Sequence, residues 1–377
     1  MYHFKNPRIC KLILTYACNL NCTYCFEKYK SNDSSKKMSL DVAKKVVTEE
    51  IKYIEQTGNF DGLSINLFGG EPLLCFELIK SFCEWLWSYD TNVKYVVSIT
   101  SNGTLLTEDK KEWFKKYREK ISLRLSIDGD SATQLLNRGV SLENIPVEFV
   151  RETWPNAHFS MTVSLAAINN FASDFITLTQ RGYKIEVGRA TGVEWTSENA
   201  KVYEEQLTRI AQFYLENPQY PPISFFLYSF TGQLADRIDS FCGAGHHMVA
   251  YDYTGKGYPC HMFLPFVWGR DIFDEIKNID FGHPLSGEKD SQCEKCEFVK
   301  CCPTCICENL QQCGDIGLRD KRGCAMLEVE MWVLSSFQIH YYMKRKNELS
   351  REEQVKLKAA VEIYYLVERR RKGLNKN

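Results

Sequence analysis

Between residues 9 and 216, the sequence alternates six times between a short β-rich run and a stretch with helical spacing. The β-rich runs are residues 9–16, 63–68, 93–101, 121–127, 158–165 and 183–189. The helical stretches are residues 39–58, 73–88, 107–118, 141–153, 169–181 and 196–216. Repeated strand–helix units predict an α/β fold with a parallel sheet, either open or curled into part of a barrel. In such sheets the chemistry lies at the carboxyl ends of the strands.

The 16 cysteines are concentrated in two places. Cys18, Cys22 and Cys25 directly follow the first β-rich run, and ten more lie between Cys242 and Cys324. The start of the chain lacks the pattern of a secretory signal. We therefore expect a cytoplasmic protein whose cysteines are thiolates rather than a disulfide framework. Close spacing suits metal clusters, because all ligands of a cluster must converge. Cys10, Cys75 and Cys83 lie outside both groups and are predicted to be buried structural thiols.

Composition excludes several classes of protein. The formal net charge is −1, so no overall basic field indicates a nucleic-acid partner. No apolar run approaches the roughly 18 residues of a membrane span. A length of 377 residues predicts two or three domains.

The first cysteine group has the arrangement C-x3-C-x-aromatic-C, with Tyr24 as the aromatic residue. This arrangement closely resembles that of the radical S-adenosylmethionine (radical SAM) family. The resemblance implies a partial (β/α)6 TIM-like barrel. It also implies a [4Fe–4S] cluster on Cys18, Cys22 and Cys25, whose open iron is chelated by SAM. Reductive cleavage of SAM then gives a 5′-deoxyadenosyl radical.

Further motifs follow the next predicted strands. Gly69, Gly70 and Glu71 match the family's GGE motif, which meets the amino group of SAM. Asn102, in the SNG segment, and Ser126 end two later strands, where relatives bind the ribose or carboxylate of SAM. The resemblance also implies that the backbone at Phe26 reads the adenine edge.

The second cysteine group is similar to the SPASM domain, an extension that binds two auxiliary [4Fe–4S] clusters. Carried over, Cys242, Cys260 and Cys305 hold the first auxiliary cluster. The second is held by Cys293, Cys296, Cys302 and Cys324. The spacing leaves Cys301 as an alternative to Cys302, and Cys307 as an alternative to Cys305. A fourth ligand of the first cluster could come from Cys307, Cys313, the pair His246–His247 or a substrate. A structural zinc knuckle is the other interpretation of this region.

SPASM-bearing radical SAM proteins mostly modify peptides or proteins. The resemblance therefore implies a maturase of ribosomally made peptides that forms a thioether or carbon–carbon crosslink. An anaerobic sulfatase-type formylglycine maturase is the alternative. These enzymes carry an aspartate base directly after the cysteine aligned with Cys260, where this chain has His261. His261 is a candidate catalytic base or a polar group near a cluster. A non-catalytic electron carrier or redox sensor is the alternative of another class.

The predicted domains are a radical SAM core (1–232), a SPASM domain (233–330) and a C-terminal helical segment (331–377). We expect a peptide or protein substrate and an electron donor such as flavodoxin or ferredoxin. Since 17 residues precede Cys18, no fused leader-binding domain is expected. The basic segment ERRRKG, residues 368–373, is either a surface for an acidic leader peptide or a solvated helix end.

Overall fold

The computed structural model describes residues 4–31, 33, 35–234, 242–282, 293 and 295–373. The chain divides into two compact units, and each unit is discontinuous in sequence. The first unit comprises Met1–Ile127, Arg138–Ser160 and Cys242–Gly282. The second unit comprises Asp128–Asn137, Met161–Phe241 and His283–Asn377. The domain boundaries expected from the sequence, at 232 and 330, stay a prediction.

The predicted α/β class is confirmed by the strands and their order. The strands are β1 (Arg8–Ile13), β2 (Leu63–Phe68), β3 (Tyr95–Ser101), β4 (Ile121–Leu125), β5 (His158–Val163), β6 (Lys184–Arg189), β7 (Met248–Tyr251) and β8 (Gly257–Tyr258). In the first unit the sheet order is β4-β3-β2-β1-β7-β8. Strands β1 to β4 and β7 are parallel, and β8 runs antiparallel to β7. Strands β5 and β6 form a separate two-stranded sheet.

The two faces of the first unit's sheet differ in polarity, because side chains alternate along each strand. Strand β2 buries every second residue, from Leu63 to Leu67, on the apolar face. The opposite face carries polar side chains that the register places side by side on neighbouring strands. This polar row is Lys11, Asn66, Ser98 and Ser122. The polar row leaves one face of the sheet suited to binding a polar molecule.

The helices also follow the predicted pattern over most of the chain. They are α1 (Leu40–Thr57), α2 (Phe76–Ser88), α3 (Glu108–Lys116), α4 (Ser131–Arg138), α5 (Val147–Thr153), α6 (Phe171–Gln180), α7 (Ser197–Glu216), α8 (Pro265–Trp268), α9 (Phe273–Ile276), α10 (Ile306–Cys313), α11 (Cys324–Met343) and α12 (Arg351–Arg371). Helix α1 begins at its predicted cap, where the Val42 amide donates to Ser39 Oγ at 3.2 Å. It ends at Gly58, whose φ of 63° lies in the left-handed region that glycine tolerates.

Helix α4 was not predicted, because its apolar pattern is inverted. Leu135 and Leu136 are 56 % and 49 % exposed, whereas Thr133, Gln134 and Asn137 are buried. A periodicity search looks for a buried apolar stripe and finds none in this helix. Strand β7 was also missed, since its four residues lie in a turn-rich region. It nevertheless extends the sheet by pairing with β1, from Ile9–Met248 to Leu12–Tyr251.

The second unit contains α7, α11 and α12, and α11 packs against both of the other helices. Capping boxes at Thr196 and Ser350 begin α7 and α12. The rings of Tyr214 and Phe337 pack against Phe226, with centroids 5.4 and 5.3 Å away. Among the described residues, no helix combines the length and the apolar character needed to cross a membrane.

Candidate functional site

The cysteine loop, residues 16–31, directly follows β1 at its carboxyl end. Cys18, Cys22 and Cys25 are each half-buried. The Cys25 amide donates to the Cys22 carbonyl at 3.1 Å, and the Leu20 amide donates to Cys18 Sγ at 3.5 Å. The Lys30 ammonium donates to the Leu20 carbonyl at 3.2 Å and interacts electrostatically with both Cys18 and Cys25. Lys30 therefore places a positive charge beside two of the three predicted ligands.

Two of the thiols in the cysteine loop, Cys18 and Cys25, favour their neutral form in the protein alone. Burial raises the pKa of Cys18 to about 11, and burial also raises the pKa of Cys25. Thiolates in this loop therefore need a strong positive charge, which a bound metal cluster supplies. In the part of the chain that the structure describes, no three His, Cys, Asp or Glu side chains are arranged to hold a metal ion. By residue type, three closely spaced thiols match the soft ligands of an iron–sulfur cluster.

The GGE turn after β2 packs directly on the cysteine loop. Gly69 has a φ of 144°, which side-chain-bearing residues rarely adopt. A Cβ atom on Gly70 would lie 2.2 Å from the Ala17 carbonyl oxygen, so only glycine fits. The Gly70 amide donates to the Thr15 carbonyl at 3.0 Å, and the Glu71 amide donates to the Ala17 carbonyl at 2.8 Å. The two motifs that carry the family resemblance are thus hydrogen-bonded neighbours.

The Glu71 carboxylate is buried and joins the GGE turn to the end of β3. Its Oε1 accepts hydrogen bonds from the Leu73 amide at 2.9 Å and the Ser101 hydroxyl at 2.8 Å. Its Oε2 accepts one from the Asn102 amide at 2.8 Å. Burial raises the pKa of Glu71, and these donors oppose the rise. The carboxylate retains lone pairs that can accept a further hydrogen bond. Its predicted contact with the amino group of SAM stays a prediction.

Asn102 connects the SNG segment to the cysteine loop. Its Nδ2 donates to Asn19 Oδ1 at 2.9 Å, and its Oδ1 accepts from the Thr104 amide at 3.0 Å. Asn19 Nδ2 in turn donates to Thr104 Oγ1 at 2.8 Å. Asn102 therefore contacts the side chain of Asn19, the residue that follows Cys18. Its predicted contact with SAM stays a prediction.

Arg138, which sequence reasoning missed, lies over the aromatic residue of the cysteine motif. Its guanidinium is 5.4 Å from the centre of the Tyr24 ring, and the residue is only 7 % exposed. A buried guanidinium beside this motif is suited to hold a carboxylate. The sequence signal for Arg138 was a basic residue soon after the segment SIDG (residues 126–129). It could not be placed, because α4 was not predicted.

Two other predicted SAM-binding positions are held by backbone hydrogen bonds. The Ser126 amide donates to the Ser101 carbonyl at 3.0 Å, which places Ser126 beside the SNG segment. The Phe26 carbonyl accepts a hydrogen bond from the Lys28 amide at 2.9 Å. Their roles toward ribose, carboxylate and adenine stay predictions.

The His261 ring packs edge-on against two aromatic rings, Phe26 directly after the cysteine motif and Phe68 at the end of β2. The ring centroids of Phe26 and Phe68 are each 5.4 Å from its own. Its Nδ1 is 3.1 Å from Lys11 Nζ, in the polar row of the sheet. Burial, reinforced by Lys11, lowers the pKa of His261 well below its usual range. A neutral imidazole that accepts from Lys11 at Nδ1 carries its proton on Nε2. His261 then offers a hydrogen-bond donor rather than a free base.

Cys242 and Cys260, predicted ligands of the first auxiliary cluster, belong to the first unit with Lys11. Burial lowers the pKa of Lys11, and the two cysteines oppose that effect through their charge. Both thiols are therefore close enough to interact with this lysine. The pair His246–His247 precedes β7, and the His247 ring packs on Phe60 at 5.5 Å. These contacts give the pair a packing role, and the fourth ligand of the first cluster stays open.

A cavity of about 310 Å³ in the second unit contains the predicted second auxiliary ligands. Its wall includes Cys293, Cys296, Cys302, Cys305 and Cys324. Cys301, the alternative to Cys302, is 1 % exposed, and its Sγ lies 3.6 Å from the Phe298 carbonyl. The cavity therefore favours Cys302. Cys305 lines this cavity although the resemblance assigned it to the first cluster, so its assignment stays a prediction. Cys307 is fully buried in α10, and Cys313 is exposed.

The structural cysteines and the basic end of the chain were also described from the sequence. Cys10, Cys75 and Cys83 are buried, as predicted. In the segment ERRRKG, Arg369, Arg370 and Arg371 form ion pairs within the second unit. Their nearest carboxylate partners are Glu297 at 3.8 Å, Glu328 at 2.9 Å and Glu204 at 2.7 Å, respectively. Because each arginine has a carboxylate partner, the segment is not simply a solvated cationic surface.

Comparison with known proteins supports the family resemblance. Residues 12–158, which contain the cysteine loop, the GGE turn, the SNG segment and Ser126, match the model of the radical SAM superfamily. The radical SAM cyclopropyl synthase TigE of Paramaledivibacter caminithermalis is 26 % identical over 47 % of this chain and 40 % of its own length. A cysteine-type anaerobic sulfatase-maturating enzyme of Clostridium perfringens is 24 % identical over 76 % of this chain and 84 % of its own.

Two solved structures share the fold. One is anSMEcpe with bound AdoMet and the Cp18Cys peptide, with a TM-score of 0.66 and 17 % identity. That alignment covers 91 % of this chain and 100 % of the other. The other is Streptococcus suis SuiB bound to precursor peptide SuiA, with a TM-score of 0.55 and 15 % identity. Its alignment covers 84 % of this chain and 76 % of SuiB. These likenesses confirm the predicted fold class.

Proposed function

We infer that this chain, whose residues 12–158 form a radical SAM domain, is a maturase of ribosomally made peptides. It reductively cleaves SAM, and the resulting 5′-deoxyadenosyl radical would take one hydrogen atom from a peptide. Forming the thioether or carbon–carbon crosslink would release a proton and one electron, and an auxiliary cluster would supply the acceptor for that electron. One observation carries the proposal. The cysteine loop and the GGE turn follow adjacent parallel strands, and backbone hydrogen bonds of 3.0 and 2.8 Å join the turn to Thr15, just before the loop, and to Ala17 within it.

The residues of this site would hold the cluster and SAM in distinct ways. Cys18, Cys22 and Cys25 would ligate the [4Fe–4S] cluster, which supplies one electron and an open iron when bound. Arg138, buried over Tyr24, would pair with the carboxylate of SAM. The remaining SAM contacts come from the predicted set Tyr24, Phe26, Gly69, Gly70, Glu71, Asn102 and Ser126.

A peptide substrate fits the polar face of the sheet. The polar row ends at Lys11 on β1, next to β2, and Lys11 Nζ lies 3.1 Å from His261 Nδ1. Lys11 and the Nε2 proton of His261 are both donors, so they would orient a peptide carbonyl or carboxylate. The similar folds of anSMEcpe and SuiB, each solved with a peptide, add support.

The crosslinking assignment is preferred over formylglycine formation because of the residue after Cys260. The family resemblance implies an aspartate base at this position in sulfatase-type maturases. Here the position is His261, whose pKa burial lowers well below its usual range and whose Nδ1 lies 3.1 Å from Lys11 Nζ. The alternative keeps one argument in its favour, since the Clostridium perfringens relative aligns over 84 % of its own length.

Two substrates separate these functions. The protein is reconstituted without oxygen and given SAM, dithionite and either a C-x-P-x-R peptide or a short cysteine-bearing peptide encoded by a neighbouring gene. We expect a mass loss of two hydrogens on the second peptide. Aldehyde formation on the first peptide, lost in His261→Ala, would instead assign the protein to the formylglycine maturases.

We further propose two auxiliary [4Fe–4S] clusters, with the second in the cavity of the second unit that Cys293, Cys296, Cys302 and Cys324 line. Three clusters predict about twelve irons per chain, and about eight in a Cys18/Cys22/Cys25→Ala variant. Stoichiometric zinc with only four irons would contradict this. A flavodoxin or ferredoxin as electron donor remains part of the proposal. Cleavage of SAM would exclude the alternative of a non-catalytic electron carrier or redox sensor.

A further inference from the structure

Two guanidinium groups lie against the cysteines of the second unit's cavity. Arg319 is 9 % exposed, and its Nη1 donates to the Cys302 carbonyl at 3.0 Å. Arg370, near the end of α12, has its Nη1 3.9 Å from Cys296 Sγ. Both residues line the cavity. Two segments far apart in sequence therefore bring positive charge to predicted cluster ligands.

The position of Arg370 is fixed by contacts on more than one side. Its Nε is 2.9 Å from a Glu328 carboxylate oxygen, and its guanidinium lies 5.4 Å from the centre of the Phe298 ring. Its side chain is 42 % exposed, so solvent screens part of its charge. Arg319 is the more deeply buried of the two and is screened less.

Both arginines contact predicted cluster ligands directly, with Arg319 Nη1 3.0 Å from the Cys302 carbonyl oxygen and Arg370 Nη1 3.9 Å from Cys296 Sγ. A positive charge at these positions stabilises the added negative charge of a reduced cluster. Charge near a cluster and hydrogen bonds to its sulfurs are recognised determinants of its reduction potential.

We propose that Arg319 and Arg370 are positioning residues that raise the reduction potential of an auxiliary cluster held by Cys293, Cys296, Cys302 and Cys324. This inference rests on the auxiliary cluster of the proposed function. It also gives Arg370, in the basic segment 368–373, a role within the second unit.

The test is a redox titration followed by electron paramagnetic resonance. The protein carries the Cys18/Cys22/Cys25→Ala changes, so that only auxiliary clusters contribute. The signal of interest is the one lost in Cys296→Ala. We expect Arg319→Gln and Arg370→Gln each to make its midpoint potential more negative at unchanged iron content. Arg370→Lys, which keeps the charge, should retain most of the parent potential.

Arg371→Gln is the matched control, because the nearest carboxylate of this neighbouring arginine is Glu204 at 2.7 Å, its guanidinium lies over Trp332, and Glu328 is 3.8 Å away. It should shift the potential less than Arg370→Gln does. Glu328→Gln removes the carboxylate that offsets Arg370, so it should shift the potential in the positive direction. If Arg319→Gln or Arg370→Gln loses iron, the inference is tested by the midpoint potentials of Arg370→Lys and Glu328→Gln. The first should stay close to the parent potential, and the second should be more positive.

Unchanged potentials in Arg319→Gln, Arg370→Gln and Glu328→Gln would overturn the inference. So would a shift of equal size in Arg371→Gln. If the proposed auxiliary cluster is absent, the result is different: Cys296→Ala would then remove neither iron nor a paramagnetic resonance signal.

Discussion

The Lys11 ammonium lies 3.1 Å from Nδ1 of His261, and the two residues join the central strand β1 to the segment after Cys260. Burial lowers the pKa of both side chains. The pair therefore presents donors toward the polar face of the sheet, and its imidazole is neutral at physiological pH. This relationship distinguishes the site from one built around a carboxylate base.

The first prediction concerns the pH dependence of peptide modification. Because the folded-state pKa of His261 is well below 6.5, this residue should stay neutral as the pH falls through 6.5. The pH–rate profile should then show no acidic limb near pH 6.5 that depends on His261. The matched variant His261→Gln keeps a hydrogen-bond acceptor for Lys11. A limb near pH 6.5 in the parent that disappears in this variant would show that His261 titrates as a base.

The second prediction concerns the contact between the two motifs. A Cβ atom on Gly70 would lie 2.2 Å from the Ala17 carbonyl oxygen and 3.1 Å from Cys18 Cβ. Gly70→Ala should therefore displace the cysteine loop, removing about four irons per chain and abolishing SAM cleavage. Gly188→Ala is the control, since a Cβ atom on Gly188 meets no atom within 4 Å. Normal iron content and SAM cleavage in Gly70→Ala would contradict the described packing.

The third prediction concerns the buried Glu71 carboxylate. Glu71→Ala leaves the Leu73 and Asn102 amides and the Ser101 hydroxyl without this acceptor. Each unsatisfied buried donor costs roughly 1–3 kcal/mol, so urea unfolding of the metal-free protein should show a clear loss of stability. SAM binding should also weaken. Glu77→Gln, at a glutamate whose side chain is 82 % exposed, should change neither quantity. Normal SAM affinity in a folded Glu71→Ala variant would show that the GGE turn is not part of the SAM site.

The fourth prediction concerns Glu27, which is buried in the cysteine loop. Burial raises its pKa from 4.5 to about 8. A carboxyl group with a raised folded-state pKa stabilises the fold below pH 4.5, and this contribution is lost as the pH rises from 4.5 through 8. Glu27→Gln should therefore make the metal-free protein more stable than the parent at pH 9, by at most about 5 kcal/mol. At pH 4.5 the difference should be small.

Urea unfolding at the two pH values measures this effect. Glu49→Gln, at a glutamate whose side chain is 56 % exposed, is the control and should give no such pH-dependent difference. An equal stability difference between Glu27→Gln and the parent at both pH values would show that Glu27 ionises normally.

Residue patterns were informative where a structural element has a strong period or a ligand motif a fixed spacing. The parallel strands, helix α1 with its Ser39 cap and the position of the cysteine loop after β1 could all be predicted. Helix α4 could not, because it buries Thr133, Gln134 and Asn137 and exposes Leu135 and Leu136. As a result Arg138, at its end, was missed as well.

Contacts between residues far apart in sequence could not be predicted from residue patterns either. Spacing left Cys301 and Cys302 open; in the structure Cys302 lines the cavity, whereas the Cys301 thiol lies against the Phe298 carbonyl, and the choice of ligand stays a prediction. The pairing of Arg370 with Glu328 depends on the packing of α12, which no local motif encodes. The Lys11–His261 pair likewise joins positions 250 residues apart.

SAM cleavage tests the central claim most directly. The anaerobically reconstituted protein is incubated with SAM and dithionite, and 5′-deoxyadenosine is quantified by liquid chromatography with mass spectrometry. We predict 5′-deoxyadenosine from the parent and none from Cys18→Ala, Cys22→Ala or Cys25→Ala. Absence of 5′-deoxyadenosine from a parent protein that holds the full iron content would contradict the assignment to radical SAM chemistry.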